Sequence, residues 1–169
     1  FQAQIAHAAK DWNGEIKFRR RAQSMGNSVY EAGAYQRRDL QLALSESIAN
    51  SGRTDKQRNL LLQADTLFNQ AVEHSRRGQP AQASTVAEKT LAIRETVLGK
   101  QHRDYSATLS ELAKIHFSLG DYPRAQSLLI EVKAIDEKVF GKEHPDYVTT
   151  LNNLGGLHLM AGDYARAKS

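Results

Sequence analysis

The sequence predicts an all-α protein built from stacked helical hairpins, and three observations support this fold class. The 169 residues are rich in helix formers, contain only three prolines and lack the β-branched runs that a sheet requires. The 27 residues that begin at Gly99 recur from Gly141 with fourteen identities, a displacement of 42 residues. Apolar residues in each half of this unit recur at spacings typical of an amphipathic helix. A fixed period of this length predicts a repeat architecture in which each unit is one pair of helices.

The predicted units follow one another along the chain. Residues 1–14 are expected to form an N-terminal helix or cap, 15–52 a degenerate repeat, 56–99 and 100–141 full repeats, and 142–169 a truncated repeat. The turn "GAY" at Gly33 lies 45 residues before Gly78, so the loop "SGRTDKQ" at residues 51–57 is expected to absorb three extra residues. We expect the units to form a single domain, 1–169, that is a fragment of a longer protein.

The first helix of each hairpin is predicted to start near Asp104 or Asp146, because an aspartate side chain accepts hydrogen bonds from the unpaired donors of a helix start. Leu109 and Leu151 are expected to point into a seam shared by successive hairpins. Each first helix is expected to end at a glycine, Gly120 in the 100–141 repeat, where a residue with positive φ ends a helix without strain.

The second helix is predicted from an apolar stripe and is expected to end at Gly99 or Gly141. In the 100–141 repeat the stripe consists of Ala125, Leu128, Val132, Ile135 and Val139. Asp136 and Glu137 are interpreted as part of a solvated face. Because one helix pair cannot bury both of its apolar faces, neighbouring pairs must stack.

The pattern "LGK(Q/E)H(R/P)DY", then "TL", then "GDY", present twice in one register, resembles the tetratricopeptide repeat. The 42-residue period is longer than the usual period of about 34 residues. In this respect "TLNNLGGL", "GDYARA" and "LAIRETVLGKQH" are similar to the repeats of kinesin light chains and of bacterial proteins that carry caspase-like CHAT domains. The resemblance covers residues 61–169 well and 15–52 loosely. It implies a right-handed α-solenoid whose first helices line a concave face.

The resemblance places the partner-binding residues on this concave face. By register they are Phe68, Asn69, Arg76, Glu111, Lys114, Phe117, Asn152, Asn153 and Met160. Asparagines such as Asn69 and Asn153 commonly hold the backbone of an extended peptide in this family, since an amide both donates and accepts hydrogen bonds. The alternative is that Asn152 and Asn153 bond within the stack. Glu111 and Asp65 would repel a carboxylate, so a clamp for the carboxylate tail of a chaperone is not expected.

No residue pattern indicates catalysis, a metal or a cofactor. The sequence has no Gly-x-Ser-x-Gly elbow, no phosphate-binding glycine loop and no cysteine. Zinc is disfavoured for the repeated histidines, because helices packed about 8–10 Å apart hold ring nitrogens too far from one ion, which needs each at about 2.0–2.1 Å. We expect His74, His116 and His158 to pack between helices with one polar tip, and His102 and His144 to fix the loop between repeats.

The net charge of +4 is concentrated in the N-terminal third, around "KFRRR" at residues 17–21. Four basic residues without interleaved aromatic residues form a weak nucleic-acid footprint, so a solvated helix face is the preferred interpretation, an acidic protein partner the second and RNA the third. No run of eighteen apolar residues is present, so no membrane span is expected. The expected location is cytoplasmic.

These observations predict a non-catalytic scaffold that binds a peptide or a partner domain on the concave face, and no enzyme. The alternative is a regulatory repeat segment of a larger enzyme such as a CHAT protease. RNA binding through the basic N-terminal helix ranks third. The cut at Ser169 also predicts end-to-end self-association of the truncated stack.

Overall fold

The computed structural model describes residues 34–160, and every regular element among them is an α-helix. The helices are α1 (Ala34–Gly52), α2 (Asp55–Arg76), α3 (Pro80–Leu98), α4 (Arg103–Ser118), α5 (Tyr122–Val139) and α6 (Pro145–Met160). The predictions for residues 1–33 and 161–169, among them the basic segment at 17–21, lie outside the described residues, as does the side chain of Met160. The chain divides into two compact units, residues 1–58 and 59–169.

In the first unit a short connection joins α1 to α2, and side chains hold it. Arg53 forms an ion pair with Glu46 (Nη1 to Oε1, 2.6 Å). Thr54 N–H donates to Gln57 Oε1 at 3.0 Å, and Gln57 N–H donates to Thr54 Oγ1 at 3.2 Å, which is a reciprocal capping box. The expectation that a loop at residues 51–57 absorbs three extra residues is therefore wrong, because α1 runs to Gly52 and α2 starts at Asp55. Leu61 lies one 42-residue period before Arg103, the first residue of α4, but the capping box starts α2 six residues earlier, at Asp55. The extra residues therefore lengthen α2.

In the second unit consecutive helices pack in order, α3 against α4, α4 against α5 and α5 against α6. Two apolar clusters hold this series. The first joins α2, α3 and α4 through Ala71, Ala83, Ala87, Leu112 and Ile115. The second joins α4, α5 and α6 through Ala113, Ala125, Leu129, Leu154 and Leu157. Because each cluster ties a hairpin to the first helix of the next hairpin, the predicted stacking into an all-α solenoid is confirmed.

The turns use the predicted glycines, but the helix starts use different residues. Gly120, between α4 and α5, has φ of 77°, a value that only glycine adopts without strain. The cap of α4 is His102, whose Nδ1 accepts a hydrogen bond from Asp104 N–H at 3.1 Å. His144 Nδ1 accepts in the same way from Asp146 N–H at 3.1 Å. The aspartates therefore lie in the first turn rather than at the cap, and the two histidines fix the loops as expected.

The predicted burial of the seam is confirmed on α4 and α5 and is wrong at one position of α6. Leu109 is 1% exposed, and Ala125, Val132 and Ile135 on α5 are buried. Leu151 is 39% exposed. Within the described residues α4 packs against both α3 and α5, whereas the main packing partner of α6 is α5, and Leu151 does not belong to the apolar cluster that α6 shares with α4 and α5.

Candidate functional site

Two adjoining cavities lie between α4 and α6, and we call the surface that they form the groove. The apolar cavity, of about 380 Å³, is lined by Ala113, Lys114, Phe117, Ser118, Leu129, Asn152, Asn153, Gly156 and Leu157. The polar cavity, of about 310 Å³, is lined by Phe68, Arg103, Asp104, Ser106, Ala107, Ser110, Glu111, Lys114, Asp136, Phe140, Asp146, Thr149, Thr150 and Asn153. Lys114 and Asn153 line both cavities, so one bound segment can enter both.

The groove brings together most of the residues that the sequence nominates for partner binding. These are Phe68, Glu111, Lys114, Phe117, Asn152 and Asn153, which come from the first helices of three successive hairpins, α2, α4 and α6. Asn69 and Arg76 are exposed on α2, and neither lines the groove. The assignment of a partner to these residues stays a prediction.

The apolar cavity has a hydrophobic floor and an open rim. Leu129 and Leu157 are 4% and 3% exposed, whereas Phe117 is 37% exposed. The Phe117 ring lies 5.4 Å from that of Tyr122, between centroids, and is tilted by 57°. A Cβ added at Gly156 would meet nothing within 4 Å. The cavity can therefore accept an apolar side chain without rearrangement of the backbone.

The two acids expected to repel a carboxylate are both paired with cations. Glu111 is buried, and its Oε2 lies 3.3 Å from Lys114 Nζ. Asp65 Oδ1 accepts a hydrogen bond from Arg94 Nη2 at 2.8 Å. The sequence-based reason for excluding a carboxylate clamp is therefore incomplete, because neither acid presents a full uncompensated charge.

Arg94, which sequence reasoning does not identify, is a buried cation that joins three helices. It lies on α3 and is 5% exposed. In addition to Asp65 on α2, its Nη1 donates to Asp104 O at 2.9 Å and to Thr108 Oγ1 at 2.8 Å, both on α4. Its guanidinium lies over the Phe68 ring, 4.7 Å from the centroid. This network fixes the wall of the polar cavity.

Asp136 is interpreted from the sequence as solvated, and this is wrong. It is 4% exposed on α5. Its Oδ1 accepts a hydrogen bond from Ser106 Oγ at 2.6 Å, and its Oδ2 accepts one from Thr150 Oγ1 at 2.8 Å. Asp136 and Arg94 occupy the same repeat position, 42 residues apart, so two successive repeats bury opposite charges at one site. Arg94 follows the buried Thr90 by four residues, and Asp136 follows the buried Val132 by four. This helical spacing is the sequence signal that could have identified both residues as buried.

Three groups near the turns have raised pKa values. The hydrogen bond to Glu95 raises the pKa of Lys100, and the one to Glu137 raises the pKa of Lys142, which is the equivalent pair one repeat later. Burial, followed by the Glu131 carboxylate, raises the pKa of Tyr105, which is 3% exposed. The repeated lysine pairs hold the ends of α3 and α5, and the phenol of Tyr105 stays protonated.

Two further histidines, His74 and His116, contact residues at the start of the second helix of their own hairpin. His116 on α4 is buried, and its Nε2 accepts a hydrogen bond from Arg124 Nε on α5 at 3.2 Å. His74 Nδ1 lies 2.7 Å from Gln79 Oε1. The expected packing role with a polar tip is confirmed for His116.

Over residues 34–160, no three His, Cys, Asp or Glu side chains are grouped to hold a metal ion. Within the same range no helix combines the length and the apolar character needed to cross a bilayer.

Comparison with known proteins agrees with this architecture. The family model of the tetratricopeptide repeat matches residues 62–138 and 104–169. No curated protein matches the sequence. Among solved structures the chain is similar to BtubC (BKLC) from P. vanneervenii, with 18% identity and a TM-score of 0.58, over 98% of this chain and 72% of that one. It is also similar to two structures of a Podosopora anserina putative kinesin light chain with nearly identical TPR-like repeats, each with 19% identity and a TM-score of 0.54 over 98% of this chain and 86% of that one. At these identities the likeness shows a shared fold.

Proposed function

Because this chain belongs to the tetratricopeptide repeat family, whose repeats are generally protein-interaction scaffolds, we propose that it binds an extended peptide or a partner domain in the groove. It acts without catalysis, by holding the partner against α4 and α6. The observation that carries this proposal is the convergence of Lys114, Phe117 and Asn153 on two adjoining cavities.

The chemistry of the groove suits an extended segment. The exposed face of Phe117 and the floor formed by Leu129 and Leu157 offer apolar contact to one side chain of the partner. Asn153 is half-buried where the cavities meet, and its amide can both donate to and accept from a peptide backbone. Its repeat equivalent Asn69 is exposed on α2, outside the cavities, so it would contact only a partner long enough to pass over α2.

A display library of short random peptides tests this proposal. We expect selected peptides to lose affinity about five- to thirtyfold on Asn153→Ala or Phe117→Ala, since central interface residues are worth about 1–2 kcal/mol or more. The control is Gln82→Ala, an exposed residue of α3 that does not line the groove. Thermal melts of each variant check that the stack remains folded.

Two results would contradict the proposal. One is a library from which no peptide is enriched. The other is a set of enriched peptides whose affinity is the same for Asn153→Ala, Phe117→Ala and Gln82→Ala, because such peptides bind elsewhere.

A further inference from the structure

We propose that the groove selects a segment in which a basic side chain, lysine or arginine, accompanies an apolar one, with the basic group in the polar cavity and the apolar group beside Phe117. This inference rests on the proposed function, because it specifies the chemistry of the partner that the groove holds. It follows from the charges that line the polar cavity and from the two residues that this cavity shares with the apolar one.

The polar cavity carries more carboxylates than cations. Asp104, Glu111, Asp136 and Asp146 line it, against Arg103 and Lys114. Glu111 is paired with Lys114, at 3.3 Å. Among the described residues no lysine or arginine lies within ion-pair distance of the other three carboxylates. The cavity therefore presents a net negative field to whatever enters it.

The histidines next to two of these acids use Nδ1 to accept a backbone hydrogen bond. His102 Nδ1 lies 3.7 Å from Asp104 Oδ2, and His144 Nδ1 lies 3.7 Å from Asp146 Oδ2. Each Nδ1 accepts a hydrogen bond from the backbone N–H of the same aspartate. A ring nitrogen that accepts a hydrogen bond does not at the same time donate one to the carboxylate. In this geometry neither carboxylate therefore receives a hydrogen bond from the Nδ1 of its neighbouring histidine.

Asp136 adds a buried carboxylate to the lining of the cavity. It is 4% exposed, and its two hydrogen bonds come from hydroxyl groups, which are neutral. A charge shielded from water attracts a cation more strongly than one on an open surface. Arg103 does not fill this role in the structure, since its guanidinium lies over the Phe140 ring, 5.6 Å from the centroid.

The apolar cavity defines the second half of the ligand. Because Lys114 and Asn153 line both cavities, a bound segment with a basic group in the polar cavity has the apolar cavity of Phe117 and Leu157 next to it. In an extended chain residues i and i+2 point to the same side. A leucine and an arginine two residues apart can therefore face the two adjoining cavities together, whereas a glutamate in place of the arginine meets like charges.

Three peptide pools test this inference. The peptides of each pool are acetylated at the N-terminus and amidated at the C-terminus, which removes the terminal charges. All contain leucine at one fixed position. Two residues later the first pool has arginine, the second glutamine and the third glutamate, and all other positions are random. By fluorescence anisotropy we expect the arginine pool to bind at least about tenfold more tightly than the glutamine pool, as is usual for one hydrogen-bonded charge pair, and the glutamate pool most weakly. The arginine preference should shrink as salt is added, because exposed carboxylates are screened.

Matched variants locate the effect. Asp104→Asn with Asp146→Asn removes two charges from the cavity wall and should reduce the arginine preference about tenfold, while binding of the glutamine pool is unchanged. Glu88→Gln with Glu143→Gln makes the same change in net charge at exposed acids that do not line the groove, and it should leave all pools unaffected. Thermal melts show that each pair of substitutions leaves the stack folded.

Equal affinity for the arginine and glutamine pools, or an arginine preference that is as large in the Asp104→Asn with Asp146→Asn variant as in the unaltered protein, would overturn the inference. If the unbiased library yields peptides that depend on Phe117 and Asn153 but lack basic residues, this inference fails and the proposed function stands. If no peptide responds to groove substitutions, both fail.

Discussion

Replacement of Arg94 by alanine should destabilise the stack more than replacement of any exposed charged residue by alanine. The variant loses the hydrogen bonds to Asp104 O and Thr108 Oγ1, at 2.9 and 2.8 Å, each worth about 1.5 kcal/mol at the low end for a charged donor. The low end applies because Thr108 Oγ1 still donates to Asp104 O at 2.8 Å, so neither group is left without a partner. Two buried methylenes of the stem add about 0.8 kcal/mol each.

The ion pair with Asp65 adds little, because the Asp65 side chain is 62% exposed and can be hydrated once Arg94 is removed. The variant is also relieved of the desolvation cost of a buried guanidinium, which offsets part of the loss. The expected decrease in the free energy of unfolding for Arg94→Ala is therefore about 2–4 kcal/mol.

Urea denaturation followed by circular dichroism measures this difference, with the slope of the transition checked for a change in unfolding mechanism. The control is Arg77→Ala, since Arg77 forms an exposed ion pair with Glu73 at 2.8 Å and should cost no more than about 0.5 kcal/mol. Equal stability of the two variants would refute the reasoning, because it would mean that the buried network contributes no more than a surface pair.

Three further predictions concern the core, the turns and alkaline pH. Leu112→Ala should cost about 2–5 kcal/mol by chemical denaturation, because Leu112 is 3% exposed inside the first apolar cluster; no loss would mean that the cluster is assigned wrongly. Gly141→Ala should lower stability by about 1–2 kcal/mol because φ is 90° there, whereas Gly156→Ala inside α6 should raise it by about 0.5–1 kcal/mol; the same sign for both would contradict the turn argument. The pKa of Tyr105 is raised above its usual value near 10.0, so the folded state retains the proton longer and stability should fall as pH rises through and above that value. Tyr105→Phe should show a shallower alkaline decline, and an unchanged slope would exclude this contribution.

The architecture can be predicted from the sequence because the repeat imposes the same physical requirements on every copy. Gly120 recurs where a left-handed residue is needed, and Ala113 and Ala125 recur where two helices approach closely. Most of the candidate groove follows from the same register, since equivalent positions of α2, α4 and α6 supply it.

The features that sequence reasoning misses depend on contacts between distant residues. Asp136 next to Glu137 resembles a solvated acidic pair until the hydroxyls of Ser106 and Thr150 are known to face it. The early start of α2 depends on a local capping box at Thr54 that overrides the period. Leu151 matches Leu109 in sequence, but its burial depends on which helices cover it.

The residues that face Arg94 and Asp136 determine how freely such arrays can be shortened or lengthened. Each charged residue finds a matched partner within its own hairpin, Asp65 for Arg94 and Ser106 for Asp136, while the next hairpin contributes a threonine, Thr108 or Thr150. A hydroxyl accepts from a guanidinium and donates to a carboxylate equally well. Excision of residues 100–141 would bring Thr150 against Arg94 without stranding either group. Loss of one 42-residue unit should therefore leave the buried polar contacts of this junction satisfied.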